Sequence, residues 1–175
     1  RFVENAYFIK TREAGYADKT IKEIVKEMYQ YADGMTMSAK KDGIVNMGGF
    51  IATRHEDWYE GAKRFCIPFE GYLTYGGMNG RDMDALAVGL DENTELDNIE
   101  TRVKQVQYLA AKLDEYGIPY QRPVGGHALF VDADRVLTNV PKEEFPAQTL
   151  AIELYLEAGV RGCEIGYILA DRDPV

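Results

Sequence analysis

The chain has 175 residues, 46% of them hydrophobic, enough for one ordinary core or parts of two. A formal net charge of −9 and a pI near 4.8 argue against a nucleic-acid binder, which needs a basic face for phosphates. No apolar run approaches the roughly 20 residues of a membrane span. No signal peptide is expected, and Cys66 and Cys163 are too far apart to make a disulfide framework, so the expected compartment is reducing cytoplasm and the expected ligand a small molecule. The sequence starts at Arg1 without a methionine and closes on Asp171-Arg172-Asp173-Pro174-Val175. Neither end looks like a domain edge, and the expectation is a piece of a longer protein.

Residues 1–12 carry apolar Phe2, Tyr7, Phe8 and Ile9 and suit the end of a strand followed by a short helix or loop. A clear helix opens at Thr20, where Thr20-Ile21-Lys22-Glu23 fits a capping box and Ile21, Ile24, Val25, Met28 and Tyr29 share one face. Asp33-Gly34 ends it. The extended segment 35–38 then completes what reads as half of a βαβ crossover, with Lys41 just beyond the carboxyl end of a strand, where open α/β sheets bind ligands.

The next stretch, Ser38-Ala39-Lys40-Lys41-Asp42-Gly43-Ile44-Val45-Asn46-Met47-Gly48-Gly49, sets two lysines inside an apolar, glycine-rich, strand-like run. An ammonium group removed from water without a partner costs several kcal/mol. Lys40 and Lys41 therefore either turn out to solvent or meet an anion. In extended backbone they point to opposite sides and serve two groups of one ligand. Ser38 adds a small hydroxyl of the kind a phosphate-binding turn uses. A free lysine is uncharged only about once in a few thousand molecules at neutral pH, so an amine that forms a Schiff base needs desolvation or crowding by positive charge, which Lys40 supplies to Lys41. Asn46 is a turn residue, and residues 48–53 read as the returning strand, both flanking runs being taken as buried.

Residues 55–65 read as a helix with the lone tryptophan, Trp58, and with His55 exposed near its start. Glu70-Gly71-Tyr72-Leu73-Thr74-Tyr75-Gly76-Gly77 is a glycine-spaced loop whose tyrosines either pack or line a site. Residues 82–90 look helical. Leu96, Ile99, Val103, Val106, Ala110 and Leu113 then mark a long helix ending at Tyr116-Gly117, of the kind that bridges domains. Pro119 begins a second unit, with a short buried strand at 128–131, a helix at 146–158 and another strand starting at Gly159-Val160-Arg161. His127 is either a site residue or a structural histidine donating to backbone. Asp132-Ala133-Asp134 reads as a strand-end turn and not a metal site.

Ser38-Ala39-Lys40-Lys41-Asp42 with Asn46-Met47-Gly48-Gly49 resembles the cofactor-lysine segment of the β-eliminating lyases, tryptophanase and tyrosine phenol-lyase. Further matches are Glu4-Asn5-Ala6-Tyr7-Phe8-Ile9-Lys10, Thr74-Tyr75-Gly76-Gly77, Gly125-Gly126-His127-Ala128 and Phe145-Pro146-Ala147-Gln148. The resemblance implies an α/β, aspartate-aminotransferase-like fold (fold type I), present in part: residues 1–95 from the large cofactor-binding domain, 96–117 the bridging helix, and 118–175 from the small C-terminal domain. Family members are more than twice this length, which places an N-terminal half and a C-terminal tail outside the sequence.

The same resemblance implies pyridoxal 5′-phosphate on Lys41 through a Schiff base, Lys41 also serving as base for the substrate α-proton. Ser38 and Lys40 would bind the phosphate, and Arg1 would hydrogen-bond the cofactor 3′-oxygen. The aspartate for the pyridine nitrogen would lie three residues before Arg1. Tyr75 would join a proton network with the lysine, and His127, Tyr72 and Ile165 would line the substrate pocket, Tyr72-Leu73 departing from the family's usual Met or Phe followed by Pro. The Asn46 carbonyl would help hold a monovalent cation, K⁺ for preference, and the family implies a homotetramer.

Tyrosine phenol-lyases carry an arginine where this chain has Ile165, within Cys163-Glu164-Ile165-Gly166. An apolar wall suits indole, whereas a buried phenol oxygen would lose a partner worth about 1–3 kcal/mol. The expected reaction is cleavage of L-tryptophan to indole, pyruvate and ammonia. The alternatives are cleavage of L-tyrosine to phenol, pyruvate and ammonia, amino-group exchange by an aminotransferase of the same fold, or an inert piece of such an enzyme.

Overall fold

The computed structural model describes residues 1–166, and these form two compact units, the first of residues 1–103 and the second from residue 104 onward. In the first, α1 (Phe2–Arg12), α2 (Ile21–Gln30) and the leading part of α5 (Leu96–Glu115) meet through Val3, Ala6, Tyr7, Ile21, Ile24, Val25, Ile99 and Val103, all buried. Phe2 of α1 and Tyr29 of α2 close one end, ring centroids 5.7 Å apart. The first twelve residues are thus a helix throughout, not the end of a strand. The capping box is made in both directions: the Glu23 N–H donates to the Thr20 hydroxyl and the Glu23 carboxylate accepts from the Thr20 N–H.

After α2 the chain enters β1 (Gly34–Ser38), turns through the lysine stretch and returns as β2 (Gly49–Thr53), antiparallel, with Ser38 opposite Gly49 and Gly34 opposite Thr53. The returning strand read at residues 48–53 is thus present, and among the described residues β1 pairs with no other strand. The strands are also less buried than expected, with Ile51 66% exposed. A two-stranded ribbon has only one ladder, so no neighbouring strand covers its outer edges.

Two helices follow, α3 (Glu56–Phe69) and α4 (Gly80–Glu92). His55 stands exposed at the start of α3, bonded to the Asp33 carboxylate at 3.0 Å, as a solvated residue near a helix start should. Helix α4 lies against the lysine turn so closely that a Cβ on Gly89 would overlap the Gly43 carbonyl oxygen.

The second unit carries the rest of α5, the short α6 (Ala133–Val136), a 3-10 turn at Lys142–Glu144 and α7 (Pro146–Ala158). The strand expected at 128–131 is reduced to one bridge, Tyr120 with Val131. Pro119 and Pro123 on the facing segment have no N–H to extend the ladder. Asp132 caps α6 instead, accepting from the Arg135 N–H. Beyond α7, residues 160–166 form no strand, and any continuation past Gly166 lies outside the described residues.

Gly89→Ala is expected to lower stability by about 1–3 kcal/mol, because backbone must move to admit the methyl group. Gly80→Ala, which meets nothing within 4 Å, should be neutral or stabilising. Thermal melting of the two variants checks this, and equal melting temperatures would refute the contact.

Candidate functional site

The hairpin turn carries four of the residues picked out in the sequence, Ser38, Lys40, Lys41 and Asn46. Two linked turns shape it: the Lys41 N–H donates to the Ser38 carbonyl at 3.2 Å, and the Ile44 N–H donates to the Lys41 carbonyl at 3.2 Å. Lys40 and Lys41 therefore lie in a turn and not in extended backbone, which corrects the expectation that strand geometry sends them to opposite sides. Both are exposed, and among the described residues neither joins an ion pair or hydrogen bond through its ammonium group. Ile44 sits at φ 54°, a left-handed conformation that a β-branched residue adopts only under constraint.

The constraint is Asp42, 1% exposed. Its Oδ2 accepts the Val3 N–H at 3.1 Å, in the first turn of α1, and the Arg1 backbone nitrogen stands 3.5 Å from the same oxygen. Its Oδ1 is 3.5 Å from Nη1 of Arg102 on α5. The Asp42 carbonyl accepts from Nδ2 of Asn93, itself buried, at 2.9 Å. Together these contacts hold a buried anion between a helix N-terminus and a guanidinium. Burial, and secondly the negative charge of Asp42, push the Tyr29 hydroxyl above the ordinary tyrosine range, so Tyr29 stays neutral at physiological pH. Sequence reasoning assigned no role to Asp42, Asn93 or Arg102. The available signal was an acid directly after two lysines in an otherwise apolar run.

Arg1, exposed at the start of α1, is brought to this turn through Asp42. The loop bearing Tyr72 and Tyr75 also reaches it. Its backbone closes through the Gly71 N–H on the Cys66 carbonyl at 3.0 Å and the Gly76 N–H on the Tyr72 carbonyl at 2.7 Å. It ends at Met78, whose sulfur lies where a Cβ on Gly48 (φ 92°) would stand, at 2.5 Å. Tyr75 is 47% exposed and its ring centroid is 6.5 Å from that of Tyr72. Among the described residues its hydroxyl makes no hydrogen bond, so the structure brings the loop to the turn without a contact from Tyr75 to Lys41.

His127 and Ile165 belong to the second unit. His127 is exposed and meets Phe130 edge-on, centroids 6.3 Å apart. Ile165 is 60% exposed, next to an open groove of about 430 Å³ lined by Gln148, Ala151, Ile152 and Tyr155 of α7 and by Cys163 and Glu164.

The donor set on the turn fits pyridoxal phosphate. It offers a primary amine for an aldehyde, and a hydroxyl with a second ammonium for a phosphate dianion. Neither cation is consumed by a carboxylate of the described residues.

A family model described as Beta-eliminating lyase matches residues 1–175. A probable beta-eliminating lyase of Trichomonas vaginalis is 77% identical over 175 residues, all of this chain and 38% of that protein. A tyrosine phenol-lyase of Fusobacterium nucleatum is 56% identical over 173 residues, 99% of this chain and 38% of that protein. A tryptophanase of Salinibacter ruber is 51% identical over 174 residues, 99% of this chain and 37% of that protein. The chain thus spans less than two-fifths of the length of these relatives.

Asn93→Ala leaves the buried Asp42 carbonyl without its donor and is expected to cost about 1–3 kcal/mol. The cost should appear as a lower denaturant midpoint at unchanged slope; a midpoint equal to the parent's would show that this hydrogen bond does not tie down the turn.

Proposed function

The chain belongs to the beta-eliminating lyase family, and from that premise we propose that the whole protein is a pyridoxal-phosphate lyase that cleaves L-tryptophan to indole, pyruvate and ammonia. The observation that carries the reading is the pair of lysine ammonium groups at the end of β1, beside Ser38, with no carboxylate of the described residues set against them. When bound, the cofactor supplies an aldehyde for an amine and an electron sink for the substrate α-carbon.

The chain's own residues divide the remaining work. Lys41 Nζ would hold the cofactor and would serve as general base for the substrate α-proton. The Ser38 hydroxyl and the Lys40 ammonium bind phosphate. The Arg1 guanidinium donates to the cofactor 3′-oxygen. The resemblance assigns Tyr75 to a proton network with Lys41, and the Asn46 carbonyl is a hard oxygen ligand suited to K⁺. The resemblance assigns Tyr72, His127 and Ile165 to substrate recognition.

The choice of tryptophan rests on Ile165, an apolar group where the resemblance expects an arginine for a phenol substrate. Cleavage of L-tyrosine is the second reading, favoured by the higher identity to a tyrosine phenol-lyase, 56% against 51% for a tryptophanase. We favour the single position over the overall identity, because discrimination between indole and phenol depends on the group that meets the phenol oxygen. The whole protein is read as a cytoplasmic homotetramer without nucleic-acid or membrane partners. No helix among the described residues is long and apolar enough to cross a membrane.

In the full-length protein, Lys41→Ala is expected to abolish the visible absorbance of bound cofactor, and an unchanged spectrum would refute the assignment. Release of indole rather than phenol from the parent protein tests the substrate. Ile165→Arg should move the ratio of kcat/KM for tyrosine over tryptophan upward by about tenfold, the scale of one hydrogen bond to a buried phenol oxygen; an unmoved ratio would remove the reason for preferring tryptophan.

A further inference from the structure

We propose that Asp42 is a positioning residue for the Lys41 amine: its carboxylate locks the lysine turn to the start of α1 and so sets the separation between Lys41 and Arg1 that a cofactor must span. This rests on the reading of Lys41 and Arg1 as cofactor-binding groups.

Three contacts from three segments converge on this one residue: the Val3 N–H on its carboxylate at 3.1 Å, Arg102 Nη1 on its carboxylate at 3.5 Å and Asn93 Nδ2 on its carbonyl at 2.9 Å. A carboxylate so fully buried tolerates little displacement, since each partner lost leaves charge or a hydrogen-bonding group uncompensated. Arg102 depends on it in turn, because its Nε and Nη2 are buried without an acceptor among the described residues.

Lys41 is joined to this anchor by one planar peptide bond. Its own N–H and carbonyl are both committed to turn bonds of 3.2 Å. The Lys41 Cα is therefore stationary, and only the side-chain torsions remain to aim the amine. The left-handed backbone of Ile44, φ 54°, is held on the far side of the same residue, so a turn released from Asp42 has a strained conformation to relax out of. The first turn of α1, which Arg1 precedes, is held to the same residue through the Val3 N–H. A single carboxylate thus spaces the guanidinium assigned to one edge of the cofactor from the amine assigned to its aldehyde.

The test uses the full-length protein loaded with pyridoxal phosphate, followed by the visible circular dichroism of bound cofactor and by borohydride trapping on Lys41 read by mass spectrometry. Asp42→Ala is expected to weaken cofactor binding and lower the trapped fraction by about tenfold, as misplacing a reacting group does, and to alter the dichroism. Asp42→Asn, which keeps an acceptor for Val3, should restore at least half of the trapped fraction. Val103→Ala, a core change away from the turn, should lower the melting temperature and leave dichroism and trapping as in the parent.

Parent-like dichroism and trapping in Asp42→Ala would overturn the proposal, and so would an equal loss in Val103→Ala, which would make the role one of stability alone. If Asp42→Ala does not fold, Arg102→Met decides. Altered dichroism in it supports positioning, and parent-like dichroism and affinity overturns it. Lys41→Ala separates the two readings: trapping that survives in it refutes the cofactor assignment itself, whereas loss there with parent-like Asp42→Ala refutes only the role of Asp42.

Discussion

A carboxylate with almost no access to water holds the lysine turn in place. Asp42 accepts from the first turn of α1 at 3.1 Å and faces Arg102 of α5 at 3.5 Å, so the hairpin is referred to the α1, α2 and α5 core and not to its own two strands. A β-ribbon this short has little stability of its own. Its tip is ordered because a buried anion is strongly unfavourable in any arrangement that strips it of partners. The Gly43 and Gly89 contact and the Asn93 hydrogen bond press the same turn against α4.

This anchoring lets two like charges be displayed side by side. Lys40 and Lys41 repel each other and gain little from the hairpin, yet the turn that bears them cannot rearrange to separate them, because the next residue is fixed. The result is a concentrated, outward-facing pair of ammonium groups beside a serine, a combination suited to an anion with an electrophilic carbon. The left-handed Ile44 belongs to the same arrangement, since backbone strain persists where the surroundings over-determine it.

The family match along residues 1–175 accounts for several features that the physical reading alone leaves unexplained. Apolar residues of α3, among them Trp58 at 54% and Phe69 at 76% exposure, and an open hairpin edge are costly for a self-contained domain. This chain spans 38% of the Trichomonas vaginalis protein.

The sequence by itself determined the helices and the chemistry-bearing turn. The capping box at Thr20 and Glu23, the stripe of Ile99 and Val103, and the α7 span from Pro146 to Ala158 were legible because helical bonds and caps join residues three or four apart. Ser38, Lys40 and Lys41 were legible because three reactive groups crowd into four positions. Tertiary structure decided what depends on distant partners: that β1 pairs antiparallel with β2, that residues 128–131 keep a single bridge, and that Asp42 clamps residues 39 and 60 positions away. Sheet ladders and buried ion pairs are chosen by whichever groups the folded chain brings opposite one another, and no local periodicity records that choice.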